Sequence, residues 1–578
     1  MERMQQFVYN VWALGKGYWG SEERWSAWAL LTAIISLDLG YVYVNVLLNK
    51  ANGSVFNALQ QYDTASFYRG FGTILVLVLI LLAAVLLRVF LVQTLQLRWR
   101  RWLTDHYLTH WLANRIFYRL RFSGQVDNPD QRIAEDIRLF IEYTLTLGLG
   151  LLATLEMLTS FSVLLWHLAG SITLPIGGIE LTIPGYMFWV AVLYSGVGSW
   201  LAHLVGHPLI RLNNLQRSVE ADFRFSLVRL REEAEGIALY GGEAQERGIA
   251  LGRFQALYDN VKRLILRNCQ YLMFQTFVGQ FANFFPLLVA APRYFSGAVA
   301  LGTLTQLTHA FWQVNASLSW FITNYPTFAE WRATVDRLTE FDREMVREAQ
   351  GEGDGAHLET AVQDTIDLQE VGIALPDGTP LLTPVTLRLR PHEAVLLKGP
   401  SGCGKSTLFR VLAGLWPFAT GRIRLPAGVQ TLFLPQRPYM PIGTLRQALW
   451  FPAPPALDGD AKARAALGTV GLAALGQRLD ETAHWTHVLS PGEQQRLAIA
   501  RALLLKPDWL FLDEATSALD EDYEAALYRR LAEALGHTTL ISIGHRRSLE
   551  AYHNRILTLE RAAGQPGVLR AVPSISAG

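Results

Sequence analysis

The residues with the clearest chemistry form one unbroken run in the C-terminal half of the chain, namely Gly399, Pro400, Ser401, Gly402, Cys403, Gly404, Lys405, Ser406 and Thr407. The run matches the pattern G-x-x-x-x-G-K-[ST], in which glycines let the backbone wrap around a phosphate chain. In this pattern the lysine reaches the outer phosphates, and the hydroxyl after it can coordinate Mg²⁺. A buried strand is predicted before the run and a helix after it. The run therefore predicts a binding site for a nucleoside triphosphate with Mg²⁺.

Further polar residues stand where a bound triphosphate could be held or hydrolysed. The apolar strand predicted at 509–513 ends in Asp513, placed to hold Mg²⁺ through water, and Glu514, placed to polarise the attacking water. Residues 489–496 open a predicted helix whose first N–H groups could face a γ-phosphate. The remaining polar positions are Gln436, Asp520 in the run 517–520, and His545 after a further predicted strand.

The composition indicates a membrane protein of several domains. The 578 residues are 51% hydrophobic, include 17 Trp and are only 17% charged. The formal net charge of +1 gives no indication of a nucleic-acid partner. Two cysteines exclude a disulfide scaffold, as expected on the reducing side of a membrane. The N-terminus lacks the features of a signal peptide, and its aromatic residues predict an amphipathic helix at the membrane interface.

A bilayer core requires roughly 20 apolar residues in a helix, and the first half of the chain offers six candidate spans. They lie at about 26–48, 71–96, 139–168, 184–209, 264–291 and 300–325. The second is the most apolar, whereas amides interrupt the fifth and the sixth. A buried helix of a soluble protein is the alternative for each.

Charge asymmetry predicts the orientation of these spans. The connections after the second and fourth spans are rich in arginine, whereas the connections after the first, third and fifth carry very few basic residues. The positive-inside rule therefore places both termini and the two long connections in the cytoplasm. Both connections have helical patterns, so we expect the flanking helices to extend well beyond the bilayer.

The domain organisation follows from a change in composition near residue 345. We expect a transmembrane domain at 1–345, a polar, glycine-rich linker at 346–362 and a nucleotide-binding domain at 363–578. Strands alternate with helices in the last part, which is typical of a parallel sheet. The predicted fold class is a helical membrane domain of six spans joined to a cytosolic α/β domain with a phosphate loop.

Residues 366–560 resemble the ATP-binding cassette (ABC) family, because its motifs occur together and in family order. The resemblance implies that Glu514, His545, Gln436 and Lys405 act in ATP hydrolysis and that Ser406, Gln436 and Asp513 hold Mg²⁺. It also implies a signature motif at Ser490, Pro491, Gly492 and Glu493 and an aspartate loop at Asp520. ATP and Mg²⁺ are the implied substrate and cofactor.

The chain departs from the family pattern at two places. Pro491 replaces the first glycine of the usual signature and offers no N–H, although proline suits the first turn of a helix. Residues 374–378 stand where the family usually has an aromatic residue that stacks on adenine, so Leu375 or Pro376 would have to cap the base. Cys403 is interpreted as a small tolerated residue, with redox regulation as the alternative.

The membrane half resembles the SbmA/BacA group and, more distantly, the peroxisomal subfamily D half-transporters. The segments that carry this resemblance are 23–31, 45–49, 56–60, 128–133 and 220–226. It implies an exporter-type fold in a bacterial inner membrane and a homodimer in which the signature motif of each subunit completes the ATP site of the other. The segments around 128–132 and 220–225 would be coupling contacts, with ordinary helix-end charges as the alternative.

The cargo is the least determined feature. Ionisable residues inside spans are costly and are therefore functional candidates; here they are Asp38, Arg88, Glu142, Glu156, His203 and His207. They could line a polar cavity, lie near an interface, or pair as structural fasteners. Together with the resemblance they favour uptake of hydrophilic solutes or peptides, including cobalamin-like cargo. The alternatives are transport of acyl-CoA or fatty acids, and a regulatory ATPase that transports nothing. Membrane lipid is a further expected partner.

Overall fold

The apolar runs of the first half form long helices. The computed structural model describes residues 2–124, 128–176, 179–350, 357–456, 459–562 and 564–572. Its contacts divide the chain into a helical unit, Met1–Leu108 with Asn128–Phe341, and a nucleotide unit, Thr109–Asp127 with Asp342–Gly578.

The helical unit contains most of the described helices of the first half. They are α1 (Glu2–Trp19), α2 (Arg24–Gln60), α3 (Thr64–Leu112), α4 (Ile116–Ser123), α5 (Pro129–Gln131), α6 (Ile137–Ala169), α7 (Tyr186–Glu232), α8 (Ala234–Tyr240), α9 (Glu243–Phe295), α10 (Leu301–Thr323) and α11 (Tyr325–Gln350). Of these, α4 and the ends of α3 and α11 belong to the nucleotide unit.

Among the described residues, five helical stretches are long and apolar enough to cross a membrane, namely Arg24–Gln60, Thr64–Phe122, Pro129–Ala169, Tyr186–Glu232 and Glu243–Phe295. They contain the first five predicted spans, except for residues 184 and 185 at the start of the fourth. The sixth predicted span forms α10, which has 23 residues but falls outside this set, and its passage through a bilayer stays a prediction. With 47 and 53 residues, α7 and α9 are more than twice the length that a bilayer needs. The connections predicted to be helical are therefore helical over most of their length.

The core of the helical unit lies between α6, α7, α9 and α10, where Phe161, Met187 and Phe311 are fully buried. The two strands β1 (Ser171–Ile176) and β2 (Ile179–Pro184) form an antiparallel hairpin between α6 and α7. At the N-terminus, the ring of Phe7 in α1 packs edge-on at 4.8 Å from Trp331. One face of α1 is thus buried, while Met4, Val8 and Trp12 on the other face are exposed.

The nucleotide unit contains two main sheets. Their strands are β3 (His357–Ala361), β4 (Ile366–Ala374), β5 (Pro380–Leu389), β6 (Ala394–Lys398), β7 (Ala419–Pro426), β8 (Thr431–Leu434), β11 (Trp509–Asp513), β12 (Thr539–Ile543), β13 (Arg555–Glu560) and β14 (Val568–Val572), with a small pair formed by β9 (Gly443–Thr444) and β10 (Thr482–Ala483). The orders are β14-β13-β6-β12-β11-β8 and β3-β7-β4-β5.

Six helices complete this unit: α12 (Lys405–Leu412), α13 (Leu445–Trp450), α14 (Asp460–Thr469), α15 (Trp485–Val488), α16 (Pro491–Leu505) and α17 (Glu521–Ala534). Within the six-stranded sheet, β6, β8, β11 and β12 run parallel to one another. Leu512 in β11 lies opposite Leu434 in β8 and Ser542 in β12. The carboxyl ends of these strands therefore meet at one edge, and each is followed by a predicted functional segment.

Two boundaries differ from the sequence-based expectation. The stretch 346–362, predicted as a linker, contains the last turn of α11 and the strand β3; residues 351–356 lie outside the described part of the chain. The segment Thr109–Asp127, predicted within the transmembrane domain, groups with the nucleotide unit. The physical reason is packing: the Phe122 ring lies edge-on at 5.3 Å from Trp416 and 5.8 Å from Phe418.

The segment that contacts the nucleotide fold therefore precedes the predicted coupling segment 128–132. Arg115 in this segment donates a hydrogen bond to the carbonyl of Ala413, and Arg119 donates to the carbonyl of Glu348 at 3.2 Å. By contrast, Asn128 belongs to the helical unit. Residues 220–225 lie inside α7, and their coupling role stays a prediction.

The carboxylate of Asp136, just before α6, is buried in the helical unit and forms ion pairs there. Asp136, whose side chain is 2% exposed, accepts hydrogen bonds from Arg132 at 2.8 Å and from Arg337 at 2.6 and 2.9 Å. Arg337 belongs to α11, so this ion pair joins segments far apart in the chain.

We predict that Arg337→Ala lowers the stability of the helical unit by about 3 kcal/mol, because it leaves a buried carboxylate with one cationic partner. The matched control is Arg332→Ala in the same helix, since Arg332 lies 4.0 Å from Asp336 and both side chains are more than half exposed. The control should cost less than about 1 kcal/mol. Thermal unfolding in detergent measures both, and equal losses would contradict a structural role for the Asp136 pair.

Candidate active site

The phosphate loop lies between β6 and α12 and requires glycine at defined positions. Gly399 and Gly404 have φ values of +153° and +109°, a region that side chains disfavour. A Cβ at Gly399 would also lie 2.4 Å from the carbonyl oxygen of Leu559. The loop leads directly into α12, whose first N–H groups have no partner within the helix. Loop and helix therefore form a cradle suited to phosphate oxygens.

The ammonium of Lys405 lies inside this cradle. Lys405 is 5% exposed, and its Nζ donates hydrogen bonds to the carbonyls of Gly399 at 2.8 Å and Pro400 at 2.9 Å. Such a buried cation, bound to two carbonyls and 4.0 Å from Sγ of Cys403, is suited to an anionic ligand. Cys403 is 1% exposed, and its burial in the apolar core favours the interpretation as a small tolerated residue.

The predicted Mg²⁺ ligands Ser406 and Asp513 meet across the end of the sheet. The hydroxyl of Ser406 donates to Oδ1 of Asp513 at 2.8 Å. Burial raises the pKa of Asp513 above its ordinary value, although the hydrogen bond from Ser406 opposes the change. Oxygen ligands of this kind suit Mg²⁺, which commonly uses one or two protein oxygens together with phosphates and waters. The two residues therefore fit the implied cofactor.

Glu514 follows β11 in a conformation that is rare for a side-chain-bearing residue. Its φ is +47°, in the left-handed region, which costs energy and persists at functional sites when the surroundings enforce it. Its N–H donates to the carbonyl of Ile543 at 3.2 Å. The carboxylate accepts from Nε2 of Gln436 at 3.0 Å and lies 2.9 Å from Nε2 of His545.

Three predicted catalytic residues are thus in contact. Gln436 binds Glu514 rather than Ser406 or Asp513, so its predicted part in holding Mg²⁺ stays a prediction. The carboxylate of Glu514 is 24% exposed and His545 44% exposed, which leaves both accessible to a water molecule and a substrate. An acceptor carboxylate, held between an amide and an imidazole, is equipped to orient water and remove its proton.

The signature residues begin α16 with a reciprocal cap. Ser490 is the N-cap: its N–H and hydroxyl donate to Oε2 of Glu493 at 2.9 and 2.8 Å, and Glu493 N–H donates back to the hydroxyl at 3.4 Å. Hydrogen bonds from the backbone and hydroxyl of Ser490 lower the pKa of Glu493. Pro491 occupies the first helical position, where a missing N–H removes no helical hydrogen bond. The unusual proline is therefore compatible with the helix.

Ser490 and Pro491 are exposed and Gly492 is half-buried. In the part of the chain that the structure describes, the side-chain hydrogen bonds of Ser490 and Glu493 are with each other and not with the phosphate loop. Asp520 begins α17, where its carboxylate accepts from the N–H of Tyr523 at 2.7 Å. The signature motif and the aspartate loop therefore each begin a helix at the surface with a side-chain cap.

The turn after β4 contains Leu375 and Pro376, the two residues proposed to cap the base. Leu375 packs against the apolar core of the unit, and the indole of Trp416 donates to the carbonyl of Ala374 at 2.9 Å. Pro376 is exposed. Of the two residues proposed to cap a base, Pro376 is therefore the accessible one.

Three buried polar residues of the nucleotide unit had received no role from the sequence. Gln495 and Arg501 in α16 are 3% and 4% exposed, and Glu524 in α17 is 3% exposed. Glu524 binds the hydroxyl of Thr516 and, at 3.2 Å, the guanidinium of Arg546. Polar residues on the buried face of an otherwise apolar helix are the signal that would have identified them.

The six ionisable residues of the spans do not form one cluster. Arg88 forms a two-pronged ion pair with the buried Asp38, which favours a structural fastener between α2 and α3. Glu142 pairs with Arg138 at 2.8 Å, and both line a cavity of about 240 Å³ with Gln93, Gln96 and Arg100.

Of the other three, His203 and His207 stand apart from these pairs, whereas Glu156 interacts electrostatically with Asp38. The exposed rings of His203 and His207 lie 5.7 Å apart on α7. Glu156 has one buried carboxylate oxygen without a hydrogen-bond partner among the described residues. A cavity role is therefore supported for Glu142, whereas Asp38 and Arg88 bind each other.

We predict that Glu493 stabilises α16 through its charge. Since folding lowers its pKa, the carboxylate adds stability above its ordinary pKa and loses this contribution as the pH falls through the lowered pKa. Glu493→Gln keeps a cap of the same shape without the charge, while Glu493→Ala should cost about 1 kcal/mol. Melting temperatures should separate wild type from Glu493→Gln at neutral pH and converge in acid. A difference that is independent of pH would contradict this role.

Comparisons with known proteins agree with this geometry. Residues 16–295 match the family described as "ABC transporter transmembrane region 2", and residues 382–517 match the family "ABC transporter". The chain is 34% identical to the inner membrane ABC transporter ATP-binding protein YddA of Escherichia coli, covering 94% of this chain and 96% of that protein. It is 30% identical to the human lysosomal cobalamin transporter ABCD4, covering 81% of each.

The solved structure of a bacterial Atm1-family ABC exporter with ATP bound is similar in fold, with a TM-score of 0.71 at 19% identity over 92% of this chain and 95% of that one. The fold is thus of the exporter type, and the relatives include subfamily D members. The phosphate loop, the capped start of α16 and Glu514 all lie within the matched residues 382–517, and the chain is an ATPase coupled to transport. This chain belongs to the ATP-binding cassette transporters, as a multi-pass membrane protein with its ATPase on the same chain.

Proposed function

We propose that two copies of this chain form a homodimeric transporter of the SbmA/BacA-like type, which uses ATP to take up hydrophilic solutes or peptides across a bacterial inner membrane. Both termini lie in the cytoplasm in this proposal. The observation that carries the ATP-driven part is the Glu514 carboxylate, held between Gln436 and His545 beside the Ser406–Asp513 pair.

The chemistry assigned to the chain is positioning and electrostatic stabilisation, as in other phosphoryl transfers. Lys405 and the N–H groups at the start of α12 bind the phosphates. Ser406 and Asp513 would hold Mg²⁺, which would neutralise phosphate charge when bound. Glu514 accepts a proton from the attacking water, whose oxygen bonds to the γ-phosphorus while the bond to the ADP oxygen breaks. His545 orients the Glu514 carboxylate.

The signature motif supports a site shared between two subunits. Ser490 and Gly492 lie at the open start of α16, and the hydrogen bonds of Ser490 described above do not reach the phosphate loop of the same subunit. In the dimer, Ser490 and Gly492 of one subunit face the γ-phosphate bound to Lys405 and Ser406 of the other. ATP then closes the cassettes, and hydrolysis releases them.

A hydrophilic cargo is supported by an open pocket of the helical unit that has a mixed lining. Leu97 and Ile141 line it together with Gln93, Gln96, Arg100, Arg138 and Glu142, and the last five offer amide, cationic and acidic groups. The name of the similar human protein refers to cobalamin transport, and cobalamin is a bulky polar solute. We therefore propose cobalamin-like compounds and cationic peptides as the cargo classes to test.

We predict that Glu514→Gln lowers the ATPase kcat by about 10²- to 10⁴-fold, because it removes the proton acceptor. The matched control is Glu533→Gln, an exposed acidic residue of α17, which should hydrolyse ATP like wild type. In proteoliposomes, uptake of labelled cobalamin or a cationic peptide should follow the same order. Uptake that survives Glu514→Gln would contradict ATP-driven transport.

The same proteoliposomes separate the rival functions. Glu514-dependent movement of an acyl-CoA, without movement of cobalamin or peptide, would replace the hydrophilic cargo by a subfamily D type of substrate. ATP hydrolysis without movement of any of the three would favour a regulatory ATPase.

We predict that complementary defects in two subunits restore ATP hydrolysis. Lys405→Ala removes the ammonium group that binds phosphate in the phosphate loop. Gly492→Asp places a carboxylate where the γ-phosphate of the partner subunit's ATP must bind. Each variant alone should be inactive, whereas a heterodimer of the two retains one site built from intact parts. Steady-state ATPase of co-expressed, doubly tagged dimers measures the recovery. Full inactivity of a folded heterodimer would contradict the shared site.

A further inference from the structure

Gln495 is the most densely hydrogen-bonded buried amide near the catalytic residues. It lies in α16, five residues after the N-cap Ser490, and is 3% exposed. Its Nε2 donates to the carbonyl of Gln436 at 3.1 Å and to the hydroxyl of Ser517 at 3.2 Å. Its Oε1 accepts from the N–H of Ala518 at 2.9 Å. Both the nitrogen and the oxygen of the Gln495 side-chain amide are thus hydrogen-bonded.

These partners belong to different functional segments. Gln436 is the residue whose amide binds the Glu514 carboxylate, and Ser517 and Ala518 precede Asp520 in the turn after β11. The Nε2 of Gln495 also lies 3.5 Å from the carbonyl oxygen of Glu514. Gln495 therefore joins α16, the helix that begins with the signature motif, to the segment around Gln436 after β8, which we call the glutamine loop. It also joins α16 to the backbone of Glu514 and to the aspartate loop at 517–520.

Glu514 has particular need of such support because its backbone is in the left-handed region. A strained conformation persists only where neighbours enforce it. The Ser517 N–H closes the turn onto the carbonyl of Glu514 at 3.0 Å, and Gln495 binds two residues of that turn. A shift of α16 would therefore change the turn and, through Gln436, the orientation of the carboxylate.

The same helix holds the far end of the glutamine loop. Arg501 donates to the carbonyls of Ala448 and Tyr439, both at 2.7 Å. Burial lowers the pKa of Arg501 to about 10, and its described hydrogen bonds are to carbonyls and to the sulfur of Met440. The loop is thus attached to α16 at two points, so helix and loop are constrained to move together.

We propose that Gln495 is a positioning residue that transmits the position of the signature helix to the catalytic glutamate of its own subunit. When the start of α16 engages the nucleotide of the partner subunit, the Gln495 amide aligns Gln436 and the turn at 514–518 for hydrolysis. The two sites of the dimer are thereby coupled. This inference rests on the shared site proposed above.

The test is the full-length transporter in proteoliposomes with Gln495→Ala and Gln495→Glu. Alanine removes all of these hydrogen bonds. Glutamate keeps an acceptor for the Ala518 N–H but loses the donor and brings a charge towards the oxygens of Gln436, Ser517 and Glu514. The matched control is Gln363→Ala in the same unit, because the half-buried Gln363 amide donates to the carbonyl of Thr365 and takes no part in the proposed ATP site.

We expect Gln495→Ala to lower kcat for ATP by about 10- to 100-fold through misplacement of Glu514, with KM for ATP unchanged. The Hill coefficient for ATP should fall to 1, and Gln495→Glu should be no more active than alanine. Gln363→Ala should retain the wild-type kcat and the wild-type Hill coefficient.

Two results would overturn the inference: a Gln495→Ala protein whose folded fraction keeps wild-type kcat and Hill coefficient, or a Gln363→Ala protein with the same kinetic loss. Failure of the shared site is a distinguishable outcome. In that case the heterodimer of Lys405→Ala and Gly492→Asp is inactive and wild type itself has a Hill coefficient of 1.

Discussion

The parallel pairing of β6, β12, β11 and β8 is the constraint on which the active site depends. Its register places Ser542 opposite Leu512 and Leu512 opposite Leu434, so four strand ends reach the same edge together. The residues that follow these strands then lie within hydrogen-bond reach: Ser406 meets Asp513, and Glu514 meets Gln436 and His545. A shift of one strand by a residue would turn its last side chain to the opposite face and separate these contacts.

Polar residues buried behind this edge hold the loops that extend from it. Gln495 and Arg501 attach the glutamine loop to α16, and Glu524 connects Thr516 with Arg546. A buried polar group costs free energy unless it is hydrogen-bonded, so each bond resists displacement of the loop it holds. The strained backbone of Glu514 is maintained by this second layer. Under the proposal made above for Gln495, motion of α16 is accordingly linked to the position of the Glu514 carboxylate.

In the helical unit, ion pairs perform the comparable task, one just before the start of α6 and one between the interiors of α2 and α3. Asp136 joins Arg132 to Arg337, and Asp38 joins α2 to α3 through Arg88. Both carboxylates are nearly fully buried, where an unpaired charge would be strongly unfavourable. The pairing of Asp38 with Arg88 therefore favours a structural part for these two charges, while Glu142 lies beside an open pocket of mixed lining.

The sequence by itself determined the phosphate loop, the order of the ATPase motifs, five long apolar helices and the helical nature of their extensions, because these depend on local spacing and periodicity. It did not determine that residues 346–350 belong to α11 and that residues 357–361 form β3. It also did not determine that Phe122 packs against Trp416. Nor did it identify Gln495 or the pairing of Asp38 with Arg88. These features join residues far apart in the chain, and only tertiary packing decides which buried polar groups find partners.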